Sequence, residues 1–209
     1  MARRRTPTPR IDALRALAVD PNLVEVRSSG RTLATLPRAR AEELGLREGA
    51  AWTPALARKV DLAAAESLAR EAALAFLAKR GWSAAGLAAR LVRAGHAESV
   101  AASAVAALVA DGWLDDRAFA GERVAHHRRT GSFPAEALEE LLKREGVGER
   151  DAAAAAEAGA ATAKELRAEV RTARRAGTSA RTVAGRLSRR GFDADTIRDA
   201  LEAAGYELD

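Results

Sequence analysis

The chain contains no cysteine, which excludes disulfides and thiolate chemistry and fits a reducing cytoplasm. Aromatic residues make up only 4% of its 209 residues, and much of the 48% apolar content is alanine. Alanine favours helix but buries little surface, so thin helical cores are expected. No run of 18 apolar residues occurs, since even the alanines at 152–156 sit among charged neighbours, and no membrane association is expected. The amino end carries Arg3, Arg4, Arg5 and Arg10 without a following apolar segment. It reads as a flexible basic tail over residues 1–10, not as a signal peptide, and a cytoplasmic location is expected.

Signs of catalysis are also scarce. The sequence has no Gly-x-Ser-x-Gly elbow, no Walker loop and no dinucleotide fingerprint. Its three histidines are His96, His126 and His127, and the adjacent pair is flanked by Arg128 and Arg129, which repel a metal cation. Asp115 and Asp116 follow Gly112-Trp113-Leu114 and read as a helix cap more readily than as a cation site. No enzymatic activity, metal or cofactor is therefore expected.

What the chain has is positive charge and a repeat. Its net charge is +5 and its pI is near 10.3, which points to an anionic partner, most simply nucleic acid. Counting back four, eight and twelve residues from Gly95 reaches Leu91, Leu87 and Ser83. The same count from Gly146 reaches Leu142, Leu138 and Pro134, and from Gly191 it reaches Leu187, Val183 and Ser179. Each copy is a short helix with a Ser or Pro start, two apolar residues one turn apart and a glycine stop. A repeat of about 45–50 residues built from helices marks an array.

The array is expected to hold three three-helix copies. Their helices fall near 66–80, 83–94 and 98–111; near 116–130, 134–145 and 149–160; and near 163–176, 179–190 and 194–204. The repeats themselves are bounded at 66–115, 116–162 and 163–209. The third helix of the middle copy offers only alanines to the core, so it is expected to be the least firmly packed, with a flexible joint at 150–163. Trp113 and Tyr206 each follow a glycine at the end of a third helix and read as packing plugs between copies, with base stacking the lesser reading. Trp82, beside Lys79 and Arg80, is the better stacking candidate, although core burial is favoured there too.

Ahead of the array, residues 11–65 form a separate module. Residues 22–27 and 32–36 alternate with period two around Ser28-Ser29-Gly30, a hairpin signal. A short helix is expected from Pro37 to Leu44, and 48–53 supplies a third strand or a turn. A long helix opens at Pro54, with Leu56, Val60, Leu68, Leu74 and Leu77 as a broken apolar stripe and a kink or split near Asp61. The fold class is thus mostly α, a tandem array of three three-helix repeats after a small β-hairpin module.

Charge is sorted within the copies. Residues 164–191 hold nine Lys and Arg against Glu165 and Glu169, a net of +7. Residues 192–209 hold Arg198 against six acids, a net of −5. The first copy repeats the trend, with +4 over 70–95 and −4 over 96–116. The basic first and second helices nominate Lys79, Arg80, Arg90, Arg93, Arg123, Arg128, Arg129, Lys143, Arg144, Arg174, Arg175, Arg186, Arg189 and Arg190 as binding residues.

Residues 112–120, Gly112-Trp113-Leu114-Asp115-Asp116-Arg117-Ala118-Phe119-Ala120, resemble the central signature of the RecX family, regulators of the bacterial RecA recombinase. Arg128, Gly131, Leu138, Leu142, Gly146 and Val147 in the middle copy, and Arg189-Arg190-Gly191-Phe192 in the last, extend the resemblance over residues 66–209. The chain departs from the family pattern at His96, where an apolar or aromatic residue usually follows the glycine, and at Ala152, where a larger apolar residue is usual. The resemblance implies a curved helical array that lodges along the RecA–DNA filament and restrains its recombinase, ATPase and coprotease activities in recombination, DNA repair and the SOS response. In that reading the signature residues are structural, the partners are the RecA filament with single- and double-stranded DNA, and the protein is a monomer. The alternative is a stand-alone helix-turn-helix-like DNA-binding protein that acts without RecA.

Overall fold

The computed structural model describes residues 8–207. Most of the expected basic tail, residues 1–7, lies outside the described residues, as do 208 and 209. Among the described residues there are ten helices and one three-stranded antiparallel sheet. The chain divides into two compact units: residues up to 80 with 88–110, and residues 81–87 with 111 onward.

The first unit opens with β1 (Ala13–Ala16), β2 (Leu23–Ser28) and β3 (Arg31–Pro37), hydrogen-bonded in that order. Val24, Val26 and Ser28 alternate on the buried face of β2, as the two-residue period of a strand requires. Ser29 and Gly30 turn the chain at φ of 50° and 75°, the left-handed pair that a tight hairpin needs. The expected hairpin is present, but the third strand precedes it. Residues 13–16 pair with β2, placing Leu14 opposite Val26, while 48–53 adds only a single bridge from Ala51 to Arg10. Four residues are too few for a legible period, which is why β1 escapes a reading by pattern.

Helix α1 (Arg38–Glu43) is closed by Gly45 at φ 65°. Helix α2 (Pro54–Leu77) starts with Thr53 accepting the Leu56 N–H at 3.1 Å and Pro54 in the first turn. It runs unbroken through Asp61, so the expected kink or split is absent. Its buried residues are Val60, Ala63, Ala69 and Ala73, whereas Leu68 of the expected stripe is 62% exposed. Val60 and Ala63 pack on Ile11, Val24, Val26 and Leu36 from the sheet. Ala69 packs on Val100 and Ala104 of α4 (Glu98–Ala110). Small side chains bring two helix backbones together, so alanines, not leucines, form this contact.

Helix α3 (Ala84–Arg93) begins in the second unit and continues in the first. The second unit then runs through α5 (Asp116–Arg128), α6 (Ala135–Arg144), α7 (Glu149–Gly159), α8 (Ala163–Arg175), α9 (Ala180–Arg189) and α10 (Ala194–Ala203). These match the expected helices of the middle and last copies to within two residues at each end. One core gathers Phe119, Val124, Leu138, Leu142 and Val147, and another gathers Leu166, Val170, Val183, Leu187 and Ile197.

The three repeat glycines stand at φ of 100°, 85° and 94°. Each closes its helix with the same pair of bonds. Gly95, Gly146 and Gly191 donate to Val92, Lys143 and Ser188, while His96, Val147 and Phe192 donate to Leu91, Leu142 and Leu187. That is the Schellman arrangement, and it needs a left-handed residue at the glycine.

Two expectations about packing are overturned. Helix α7 is not loosely held: Ala152 and Ala156 are fully buried in the middle core, and Gly159 is buried too. A Cβ on Gly159 would run into Val124. The small residues allow close approach of α5 and α6, so low side-chain volume tightens the contact. The segment 150–163 is helical to Gly159, and Ala161 then donates to the Phe133 carbonyl at 2.9 Å. Trp113 is not a plug, being 61% exposed. Tyr206 does pack, on the core of its own copy, with its hydroxyl donating to the Thr178 carbonyl at 2.8 Å.

Candidate nucleic-acid interface

The signature residues build a junction at the start of the second unit. Asp115 caps α5, accepting the Ala118 N–H at 2.9 Å. Asp116 accepts the Ala84 N–H at 2.7 Å and so serves the first turn of α3. Ser83, fully buried, accepts the Gly86 N–H at 3.0 Å and donates to the Glu145 carbonyl. Leu114, Phe119 and Ala120 are buried, Gly112 has φ 76°, and Phe119 lies against Gly81. These roles are architectural: three polar side chains satisfy helix-start N–H groups that would otherwise lack partners.

The expected binding residues fall into two groups. In one, the cationic head is engaged inside the molecule. Arg190 donates to Glu169 Oε1 at 2.6 Å and to the Thr130 carbonyl at 2.7 Å, with its guanidinium 5.3 Å from the Phe133 ring centroid. Arg123 grips Glu145 through two bonds, at 2.7 and 2.5 Å. Arg128 reaches Glu165 at 2.5 Å, and Arg174 donates to the Ala204 carbonyl at 2.7 Å. Arg129 contacts His126 Nδ1 at 2.9 Å, and Lys143 pairs with Glu139 at 2.6 Å. Arg90 lies over the Phe76 ring at 4.3 Å. Arg186 belongs to neither group: it is half-buried, and its Nε is buried with no hydrogen-bond partner among the described residues.

In the other group the charge is presented to solvent. Lys79, Arg93, Arg144, Arg175 and Arg189 are exposed, and their side chains bond to no other described residue. Arg80 is exposed as well. Lys79, Arg80, Arg90 and Arg93 belong to the first unit and the others to the second. Trp82 is half-buried.

Helix α8 sorts its side chains three ways. Leu166, Val170 and Ala173 are buried in the core of the last copy. Glu165 meets Arg128 of the middle copy, while Glu169 accepts from the Ser132 N–H of the middle copy and from Arg190 of its own copy. Lys164, Arg167, Arg171 and Arg175 are exposed. Lys164, Arg167 and Arg171 were not among the expected binding residues, although their 3-, 4-residue spacing is a helical stripe legible in the sequence.

Local fields follow from these contacts. The Thr162 amide and hydroxyl, then Arg128, hold the Glu165 carboxyl below its ordinary range. For Glu169, burial acts to raise the pKa, but the Ser132 amide and hydroxyl with Arg190 outweigh it, and the net shift is downward. Burial, then the Arg123 and His126 charges, lower the His127 pKa, so this imidazole is neutral at pH 7. Its ring meets Phe133 edge to face at 5.7 Å. Among the described residues no group of three His, Cys, Asp or Glu side chains is placed to hold a metal ion, and no helix is long and apolar enough to cross a membrane.

No protein-family model matches the sequence, nor does any curated protein. Solved structures do match the fold. A crystal structure of regulatory protein RecX superposes with a TM-score of 0.70 over 95% of both chains, at 15% identity. The crystal structure of RecX from Lactobacillus salivarius superposes with a TM-score of 0.55 at 18% identity, over 67% of this chain and 96% of that one. The fold of this chain, sheet module included, is the fold of RecX.

Proposed function

We propose that this protein is a non-enzymatic regulator of the RecX type that binds the RecA–DNA filament and restrains RecA recombinase, ATPase and coprotease activities. The observation that carries the reading is a fold shared with a RecX regulatory protein along almost the whole of both chains. The 112–120 signature supports it independently, because its buried and capping residues hold the helix starts of the junction between copies. Exposed cations such as Arg144, Arg175 and Arg189 supply the electrostatic attraction to a nucleoprotein polyanion.

The test is RecA-driven ATP hydrolysis and strand exchange on single-stranded DNA with this protein titrated in. Inhibition at near-stoichiometric protein is expected, and Arg175→Glu combined with Arg189→Glu should weaken it while the circular-dichroism spectrum stays helical. Activity unchanged at all ratios overturns the reading. Tight duplex binding without RecA, together with no effect on RecA, would make the protein a stand-alone DNA-binding module.

A further inference from the structure

We infer that the outer face of α8 is a rail for a nucleic-acid phosphodiester backbone, formed by Lys164, Arg167, Arg171 and Arg175. The inference deepens the function proposed above and rests on its reading that the protein works on a nucleoprotein. The four residues are 3, 4 and 4 positions apart, which aligns them along one side of the helix over about 16 Å. All four are exposed, and none bonds through its side chain to another described residue. The opposite side of α8 is occupied by Leu166, Val170 and Ala173 in the core, so the row cannot turn inward.

What makes the row unusual is the absence of counter-charge on its own helix. The two acids of α8 are Glu165 and Glu169, and both are engaged elsewhere: Glu165 by Arg128 of the middle copy, and Glu169 by Arg190 of its own copy and the Ser132 N–H of the middle copy. A solubilising helix surface ordinarily interleaves opposite signs at i and i+4 spacing. Here the partners that would neutralise the row are used elsewhere, leaving four like charges whose mutual repulsion only an external anion relieves.

The chemistry of the row favours a phosphate chain over an acidic protein surface. Protein interfaces centre on apolar and aromatic anchors with charges at the rim. On one side of this row stand Ala168 and Thr172, both exposed and small, and on the other Arg174, whose guanidinium is held by the Ala204 carbonyl. Evenly spaced cations without an apolar anchor suit a regular polyanion, where affinity comes from counterion release and does not depend on sequence.

The experiment uses the full chain and fluorescent single-stranded and duplex oligonucleotides, with binding measured by anisotropy between 50 and 200 mM salt. Removing two phosphate contacts by Lys164→Gln with Arg171→Gln should lower the salt slope by about 1.4 on single strands and about 1.8 on duplex. The drop in affinity across that salt range then shrinks by about sevenfold and about twelvefold, respectively. The charge-keeping pair Lys164→Arg with Arg171→Lys should retain the wild-type slope, and so should Arg198→Gln on α10. Melting midpoints should not move, since the side chains are exposed. A wild-type slope in the neutralised variant overturns the rail, as does a wild-type protein that binds neither oligonucleotide at 50 mM salt. A variant with an unchanged slope that no longer restrains RecA also overturns it, because the row then meets protein. If the slope falls as expected but wild-type protein leaves RecA unaffected, the rail stands and the proposed function fails.

Discussion

Arg190 and Glu169 form the same interhelical pair that Glu145 and Arg123 form one copy earlier, with the signs exchanged. In each of these two copies the residue just before the closing glycine, Arg190 or Glu145, meets a residue of opposite charge on the preceding first helix. The exchange has a physical consequence. Were the copies to pack out of register, Arg123 would face Arg190 and Glu169 would face Glu145, so like charges oppose the wrong pairing. Arg190 also crosses to the middle copy through the Thr130 carbonyl, lying where a side chain on Gly131 would stand.

Substituting one member of this pair is therefore expected to destabilise the second unit. The Arg190 and Glu169 side chains are only 17% and 24% exposed, so Arg190→Met leaves a half-buried carboxylate without its partner. A loss of about 1–2 kcal/mol is expected, typical of a charged hydrogen bond in partial solvent contact. Urea unfolding checks this, and Arg190→Met combined with Glu169→Leu should recover part of the loss. Equal stability of Arg190→Met and wild type would refute the role.

The pH dependence follows from the same carboxylate. Glu169 has a lower pKa in the folded chain than its ordinary value. Such a group stabilises the fold fully above the unfolded pKa of about 4.3, and that stability is lost as pH falls through the folded value. Glu165 shifts in the same direction and adds to the loss. Urea midpoints should thus fall in acid below about pH 4.3, and less steeply in Glu169→Gln than in wild type. Parallel acid limbs for the two proteins would show that Glu169 does not carry the effect.

The repeat glycines should rank by their surroundings. All three have positive φ, but only Gly146 and Gly191 have close neighbours where a Cβ would stand: the Gly86 backbone nitrogen at 3.0 Å and the Ala137 Cβ at 3.0 Å. Gly95 has nothing within 4 Å. Alanine at Gly95 should cost about 1 kcal/mol from backbone strain alone, and at Gly146 and Gly191 more. Thermal unfolding of the three variants tests the order, and Gly95→Ala as the most damaging would contradict it.

Trp113, in the turn before α5, and Phe119, six residues later in that helix, should behave oppositely. Trp113 is 61% exposed and Phe119 is 8% exposed. Trp113→Ala should change stability by less than about 0.5 kcal/mol, and Phe119→Ala should cost about 3–5 kcal/mol. Trp113 fluorescence should also be accessible to a soluble quencher such as iodide. Strong destabilisation by Trp113→Ala would restore the packing reading.

The helices of the array were legible in the sequence because their signals are local. Ser179, Asp115 and Asp193 accept the N–H groups of nearby residues, and Gly95, Gly146 and Gly191 close turns within five residues of the bonds they complete. Each signal needs only a few neighbours along the chain, so spacing and residue type suffice. The same holds for the β2–β3 hairpin with its Ser29-Gly30 turn.

What only the tertiary structure decided is which side chains are already occupied. Charge type is written in the sequence, but the Arg190 partners Glu169 and Thr130 lie 21 and 60 residues away. Arg175, one residue past an engaged Arg174, points to no partner among the described residues. Alanine volume likewise reads as weak packing until helices are seen to approach across it, as α7 does at Ala152, Ala156 and Gly159. Composition and periodicity set the helices and the total charge of this protein. Folding partitioned that charge between internal clamps and an open surface, because an ion pair depends on distance in space and not on distance along the chain.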